Sequence, residues 1–149
     1  MIDLLGRIEA VTCLTAHRAA PHGGDDTTGL LLSFACGATG HLSCSVVATP
    51  NYRMAVYGTQ ALGEVLGHQM QMFRLTPASA PGQLTAAAPT VVETPRFNML
   101  TAELTEFARC VAERRPFPTP LSDVLHGVEV FEAAVRSAAT GRTVRVGGS

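Results

Sequence analysis

From Arg7 to Leu75 the apolar residues recur with a period close to two, and from Phe97 onward with a period close to 3.6. The first stretch predicts strands and the second predicts helices. Ile8–His17 alternates well enough for one strand, and Ala19–Asp26 reads as a connecting loop. Thr28, Leu30, Leu32, Phe34 and Cys36 then share one side of a second strand, with Gly29, Leu31, Ser33 and Ala35 on the other. Gly37-Ala-Thr-Gly40 turns the chain into His41–Ala48, which predicts a hairpin. Thr49-Pro50-Asn51 interrupts the pattern, and Arg53–Tyr57 resumes it. Gly58, Gly63 and Gly67 punctuate further short strands at Glu64–Leu66 and Gln69–Leu75. Short turns between consecutive strands predict an antiparallel meander. Leu75–Val92 carries no charge but three prolines, and reads as a loop.

The later period is helical. Leu100, Leu104, Phe107 and Val111 mark one stripe over Phe97–Arg114, which Pro116 and Pro118 terminate. Thr119-Pro120 predicts a second helix start, with a capping residue ahead of proline at the first helical position. Val124, Val128, Phe131 and Val135 form its stripe, Gly141 closes it, and Thr143–Val146 can add a last strand. Both stripes are expected to face a sheet. At the other end, Met1–Leu5 reads as the last turn of a helix, closed by Gly6 in a left-handed cap, so the chain is expected to begin inside a helix. Strands followed by helices predict an α+β fold: an open, mostly antiparallel sheet with two C-terminal helices on one face. A length of 149 residues fits one domain spanning 1–149.

Composition narrows the chemistry. The formal charge is −1, and all 11 basic residues are arginine. That gives no basic footprint for nucleic acid, and without lysine no Schiff base or lysine acid can come from this chain. Cys13, Cys36, Cys44 and Cys110 show no metal-binding spacing and are expected to be buried free thiols. His22, Asp25 and Asp26 share a loop, but turn chemistry explains them, and no metal site is expected. The glycine-rich stretches include no G-x-G-x-x-G between a strand and a helix and no Walker A loop, so no cofactor site is expected in the chain. No catalytic residue can be assembled from spacing. The early residues form no signal peptide and no segment reads as a membrane span; the expected compartment is the cytoplasm.

Four segments in order resemble one family. Met1-Ile-Asp-Leu-Leu5 is similar to the helix after a catalytic histidine. Tyr57-Gly-Thr-Gln60 with Gly63-Glu64 resembles a V-x-G-x-x-G strand–turn–strand. Glu103-Leu-Thr-Glu-Phe107 resembles the first helix, and Ala134-Val-Arg-Ser-Ala-Ala-Thr-Gly-Arg142 with Val144 is similar to a closing Ser-Ala-x-Thr-Gly-Arg-x-Val. Together they resemble the C-terminal domain of the glucose–fructose oxidoreductase, inositol dehydrogenase and MocA family. The resemblance implies the substrate-binding and oligomerisation half of an NAD(P)-dependent sugar or cyclitol oxidoreductase, inactive alone. In whole members an N-terminal Rossmann half binds NAD or NADP and supplies a lysine. A histidine from the C-terminal half would fall just before Met1, with its companion aspartate earlier still.

Of that constellation Asp3 carries over, as a carboxylate bordering the sugar. Asn51 and Tyr52 correspond to a stretch that often touches substrate, and Arg53 follows them. A tyrosine common ahead of the first helix is replaced here by Leu100 and Thr101, which leaves the substrate open. Asp3, Asn51, Tyr52 and Arg53 are thus the expected substrate residues, clustered near one end of the sheet. A small polyol or sugar is the expected ligand. The expected partners are a second copy of the chain, through the sheet face the helices leave open, and a separate Rossmann half. The alternative is a stand-alone, non-catalytic binding or assembly module.

Overall fold

Gly37 takes a φ of 86° at the tip of the expected hairpin, and the strands either side pair in register from Ser33↔Thr39 to Thr27↔Ser45. Glycine enters that left-handed region with no Cβ penalty. The structure, a computed structural model, describes residues 1–80, 87–95 and 98–148. Its elements are α1 (Ile2–Leu5), β1 (Ile8–Ala16), β2 (Thr27–Phe34), β3 (Thr39–Ser45), β4 (Arg53–Tyr57), β5 (Ala61–Leu66), β6 (Met72–Pro77), β7 (Thr90–Glu93), α2 (Met99–Glu113), α3 (Leu121–Thr140) and β8 (Val144–Arg145). The fold is α+β and all pairing is antiparallel, as expected. The strands divide between two four-stranded sheets, ordered β3-β2-β1-β8 and β4-β5-β6-β7. They fall in two compact units, one of residues 1–48 with 116–149 and one of residues 49–115.

In the first unit, α3 lies along β1. Ile8, Val11, Cys13, Leu32 and Phe34 project from the sheet onto Ala133 and Ala134, and Ile2, Leu5, Val130 and Ala138 complete the core. The register sets Val11 opposite Leu32 and Cys13 opposite Leu30, so the core face is the Leu30/Leu32/Phe34 side of β2. The face of α3 turned to the sheet differs from the one expected. Val124, Val128, Phe131 and Val135 are exposed, while His126, Ala133, Ala134 and Ser137 are buried. Both rows, 124-128-131-135 and 126-130-133-137, have the same helical spacing, offset by two residues or about 200° around the axis. The small side chains of Ala133, Ala134 and Ser137 let the helix backbone approach the strand. The larger residues of the first row would hold it away.

In the second unit, the register puts Arg53, Ala55, Leu62, Glu64, Leu66, Met72 and Arg74 on one face. Met54, Val56, Val65, Phe73, Leu75 and Val92 share the other. Helix α2 is capped by Asn98, whose side chain accepts the Thr101 N–H at 3.0 Å, and Cys110 is its buried residue. Its expected stripe of Leu100, Leu104, Phe107 and Val111 is exposed. Glu106 receives a hydrogen bond from Arg115 just past the helix end, which holds the Glu106 carboxyl below its ordinary range.

Several local expectations shift. Part of the Leu75–Val92 loop is strand: the β-branched run at Thr90–Val92 pairs with Phe73–Leu75 as β7. Residues 81–86 of that stretch, and Phe97 at the expected start of α2, lie outside the described residues. Pro120 is the residue ahead of α3, with no side-chain cap, so the helix starts one position later than Thr119-Pro120 predicts. Gly141 closes α3 as expected, in a left-handed cap at φ 65°, whereas Gly6, where the left-handed cap was expected, combines φ 78° with ψ −154°, a different turn. Cys13 and Cys110 are buried, and burial pushes the Cys13 thiol up, but Cys36 and Cys44 are exposed. Their positions next to the hairpin tip and on the sheet-edge strand β3 account for that.

Candidate functional site

Arg53 opens β4, and two strands across, Arg74 lies on the same face of the sheet. Between them Glu64 sits on β5, 1% exposed, with its Oε1 accepting from Arg53 Nη2 at 2.9 Å and its Oε2 from Arg74 Nε at 2.6 Å. A carboxylate that deeply buried needs both partners to offset its desolvation. Arg74 first, and Arg53 with it, hold the Glu64 carboxyl below its ordinary range. Both arginine side chains stay partly exposed, at 38% for Arg74 and 55% for Arg53, and each guanidinium carries more N–H donors than Glu64 uses.

Tyr52, just ahead of β4, is 54% exposed, and its ring centroid lies 6.1 Å from that of His68 at a tilt of 40°. His68 comes from the turn between β5 and β6, where Gln71 Oε1 accepts the Gln69 N–H at 3.0 Å. Asn51 is exposed beside Tyr52. The expected substrate residues of this segment therefore sit at the end of the sheet where β4 begins, and the β5–β6 turn brings His68 there as well. Sequence reasoning missed His68, Glu64 and Arg74. The signal for Glu64 and Arg74 was an acid in the middle strand of a meander with an arginine on each neighbour, which becomes a pairing only when the register is counted.

Asp3 is exposed on α1. It belongs to the first unit, and Asn51, Tyr52 and Arg53 belong to the second. The first unit also has a hollow of about 390 Å³ on the sheet face opposite α3, lined by Thr12, Leu31, Ser33, Thr39, His41 and Thr143. There the Thr12 and Thr143 hydroxyls share a hydrogen bond at 2.7 Å.

In the His22/Asp25/Asp26 loop the buried carboxylate is engaged by its own backbone. Asp26 is 4% exposed, and its Oδ2 accepts the backbone N–H groups of Arg18, Ala19 and Ala20 at 2.9, 2.7 and 2.9 Å. The Thr27 hydroxyl donates to the other oxygen at 2.9 Å. These bonds, with those from Ala19 and Ala20 strongest, hold the Asp26 carboxyl well below the usual range. No group of three or more His, Cys, Asp or Glu side chains among the described residues could hold a metal ion. Nor do these residues fit a dinucleotide. Gly23 and Gly24 lie in the β1–β2 loop, Gly37 and Gly40 in the β2–β3 hairpin, and Gly147 and Gly148 after β8, so none opens a helix onto a pyrophosphate. No described helix is long and apolar enough to cross a membrane.

Comparison with known proteins adds the family. Residues 1–146 match the model of an oxidoreductase family C-terminal alpha/beta domain. Among solved structures, an oxidoreductase from Agrobacterium radiobacter in complex with NAD+, L-tartaric acid and magnesium aligns with a TM-score of 0.78 at 21% identity, covering 98% of this chain and 45% of that one. Levoglucosan dehydrogenase in complex with NADH and levoglucosan aligns at 0.78 and 18%, covering 99% and 47%. Aldose-aldose oxidoreductase from Caulobacter crescentus, complexed with glycerol, aligns at 0.71 and 24%, covering 93% and 41%. The chain thus spans less than half the length of each. Among curated protein sequences none matches significantly.

Proposed function

The chain belongs to the glucose–fructose oxidoreductase, inositol dehydrogenase and MocA family, whose C-terminal domain it matches over residues 1–146, and on that premise we propose that it is the substrate-side and assembly half of an NAD(P)-dependent oxidoreductase acting on a sugar or cyclitol. One observation carries the reading. The match covers nearly the whole chain, yet that chain accounts for under half of the length of enzymes solved with NAD+ or NADH. Sugar or polyol substrates are favoured because two of those structures are complexes with levoglucosan and with glycerol.

In this reading Asp3 accepts a sugar hydroxyl through its carboxylate, which ionised offers only acceptors. Tyr52 offers a flat apolar surface with a polar tip, Asn51 a donor and an acceptor, and Arg53 the donors that Glu64 leaves unused. Among the described residues no glycine-rich turn opens a helix onto a pyrophosphate, so in this reading a Rossmann partner holds the nicotinamide against the substrate carbon. The assembly role rests on apolar sheet faces: Leu14 and Leu31 stand exposed on the first sheet, and Met54, Phe73, Leu75 and Val92 on the second. Exposed apolar patches of this kind mark interfaces.

The test is direct. Fluorescence titration of the purified chain with NADH is expected to show no binding, and sugars with NAD+ or NADP+ to yield no reduced cofactor. Micromolar NADH affinity, or sugar-dependent NADH formation that scales with the protein, would overturn the proposal.

A further inference from the structure

Resting on the assignment of Asp3 to the substrate side, we propose that His126 is a positioning residue for it: the imidazole locks the junction of α1 and β1, and so fixes the short helix that displays Asp3.

The turn of helix that displays Asp3 is fixed by the contacts its residues make. Helix α1 closes one turn, with Leu5 N–H on the Met1 carbonyl at 2.9 Å and Gly6 N–H on that of Ile2 at 2.8 Å. Everything else that holds it comes from outside. Ile2 and Leu5 pack against the core. The Met1 side chain lies over Gly40, where a Cβ would come within 2.8 Å of its methyl carbon. The Arg7 carbonyl accepts the Ala35 N–H at 2.9 Å, and the Leu5 carbonyl accepts the Cys36 thiol at 3.3 Å.

The junction itself is where His126 acts. Strand β8 pairs with β1 at Ala10 and Val11, and Val146 after it donates to the Glu9 carbonyl at 2.9 Å, which leaves the amide of buried Ile8 to another acceptor. His126, 2% exposed, accepts that N–H at its Nε2, 2.9 Å away. An amide can only donate, so Nε2 carries a lone pair and the ring hydrogen sits on Nδ1. Nδ1 then donates to Glu129 Oε2 at 3.2 Å, and Arg7 Nη2 reaches the same oxygen at 3.4 Å. Arg7 and Ile8 are consecutive, so amide, imidazole, carboxylate and guanidinium close a ring of contacts around the one joint between α1 and the sheet. A residue serving only to fill space there would need neither nitrogen.

The test uses the whole chain and no ligand, so its result is separate from whether Asp3 meets a sugar. In His126→Leu, amide exchange at Leu5, Gly6 and Ile8 is expected to accelerate about tenfold, the scale of one lost buried hydrogen bond. Amides of the β1–β2 ladder should change only by the common loss of global stability. His126→Gln, whose Oε1 falls where Nε2 was, should restore protection. In the unmutated chain, long-range proton–nitrogen spectra should show the hydrogen on Nδ1, a readout that survives even if His126→Leu does not fold. Uniform acceleration across the unit, equal damage from Leu and Gln, or a ring hydrogen on Nε2 would each overturn the proposal.

Discussion

Ser137 on α3 accepts the backbone N–H of Cys13 on β1, its Oγ lying 2.8 Å from the amide nitrogen, and donates its own hydrogen to the Arg142 carbonyl at 2.6 Å. One fully buried hydroxyl thus ties the helix to the strand and sets the turn into β8. It repeats, three helical turns along, what His126 does at Ile8. The eleven steps of helix from His126 to Ser137 rise about 16 Å, and the five steps of strand from Ile8 to Cys13 rise about as much. The two elements can therefore run side by side, with a side-chain acceptor on α3 for the amides of Ile8 and Cys13. Ser137→Ala should cost about 1–3 kcal/mol, the penalty for leaving a buried N–H unsatisfied. Urea unfolding measures it, and an unchanged midpoint would show that water replaces the hydroxyl.

Which face of α3 meets the sheet can be read from two substitutions with opposite expectations. Ala133 has no exposed surface, while Phe131, two residues earlier, is 73% exposed. Ala133→Leu should destabilise by about 1–3 kcal/mol through overpacking against β1. Phe131→Ala should stay within about 0.5 kcal/mol in the isolated chain. Equilibrium unfolding of the two variants decides it, and the reverse ranking would mean that the bulky stripe is the buried one.

Asp26 predicts how the β1–β2 loop answers to acid. Its folded-state pKa is depressed, with the Ala19 and Ala20 amides the leading causes. The anion's contribution is therefore complete above the ordinary carboxylate pKa of about 4 and is lost as pH falls below that value. Glu64 and Glu106 are depressed too, and act in the same direction. The informative quantity is the difference between the parent chain and Asp26→Asn. Asp26→Asn should be less stable at pH 7, and the gap should narrow between pH 4 and pH 3. A gap independent of pH would assign the loop's order to packing instead of the charge.

Strands were legible wherever glycine or alternation marked them, as at Gly37 and over Arg53–Tyr57, and Gly141 marked the end of α3. The buried stripe of α3 was not. Hydrophobicity alone ranks Val124, Val128, Phe131 and Val135 above His126, Val130, Ala133 and Ser137, although close helix–strand approach calls for small residues and polar acceptors. The role of Arg53 was half visible. Its place next to Asn51 and Tyr52 came from the family resemblance, but its grip on Glu64 depends on strand register, which period-two patterning leaves undetermined. His68 joins Tyr52 only through the β5–β6 turn, a contact no spacing rule encodes.

The assembly proposal turns on Leu31. It is 63% exposed and Leu14, on the adjacent strand, 70%, both on the face of the first sheet away from Val11 and Leu32. Around them lie Ala10, Thr12, Gly29 and Ser33, all smaller, so the two leucines project. Next to Leu31 the hollow lined by Thr12, Ser33 and Thr143 offers a recess for a side chain from a facing sheet. Burying each leucine fully is worth about 1.5–3 kcal/mol, and a two-fold axis counts every such contact twice. The chain is therefore expected to dimerise face to face. Leu31→Asp should return it to monomer, because desolvating a carboxylate in that interface costs more than its contacts with the hydroxyls and His41 lining the hollow return. Phe131→Asp, on the exposed side of α3, should leave the dimer intact and serves as the control. Light scattering on freshly purified protein across a wide concentration range reads both. A parent chain that stays monodisperse and monomeric at high concentration would sink the proposal.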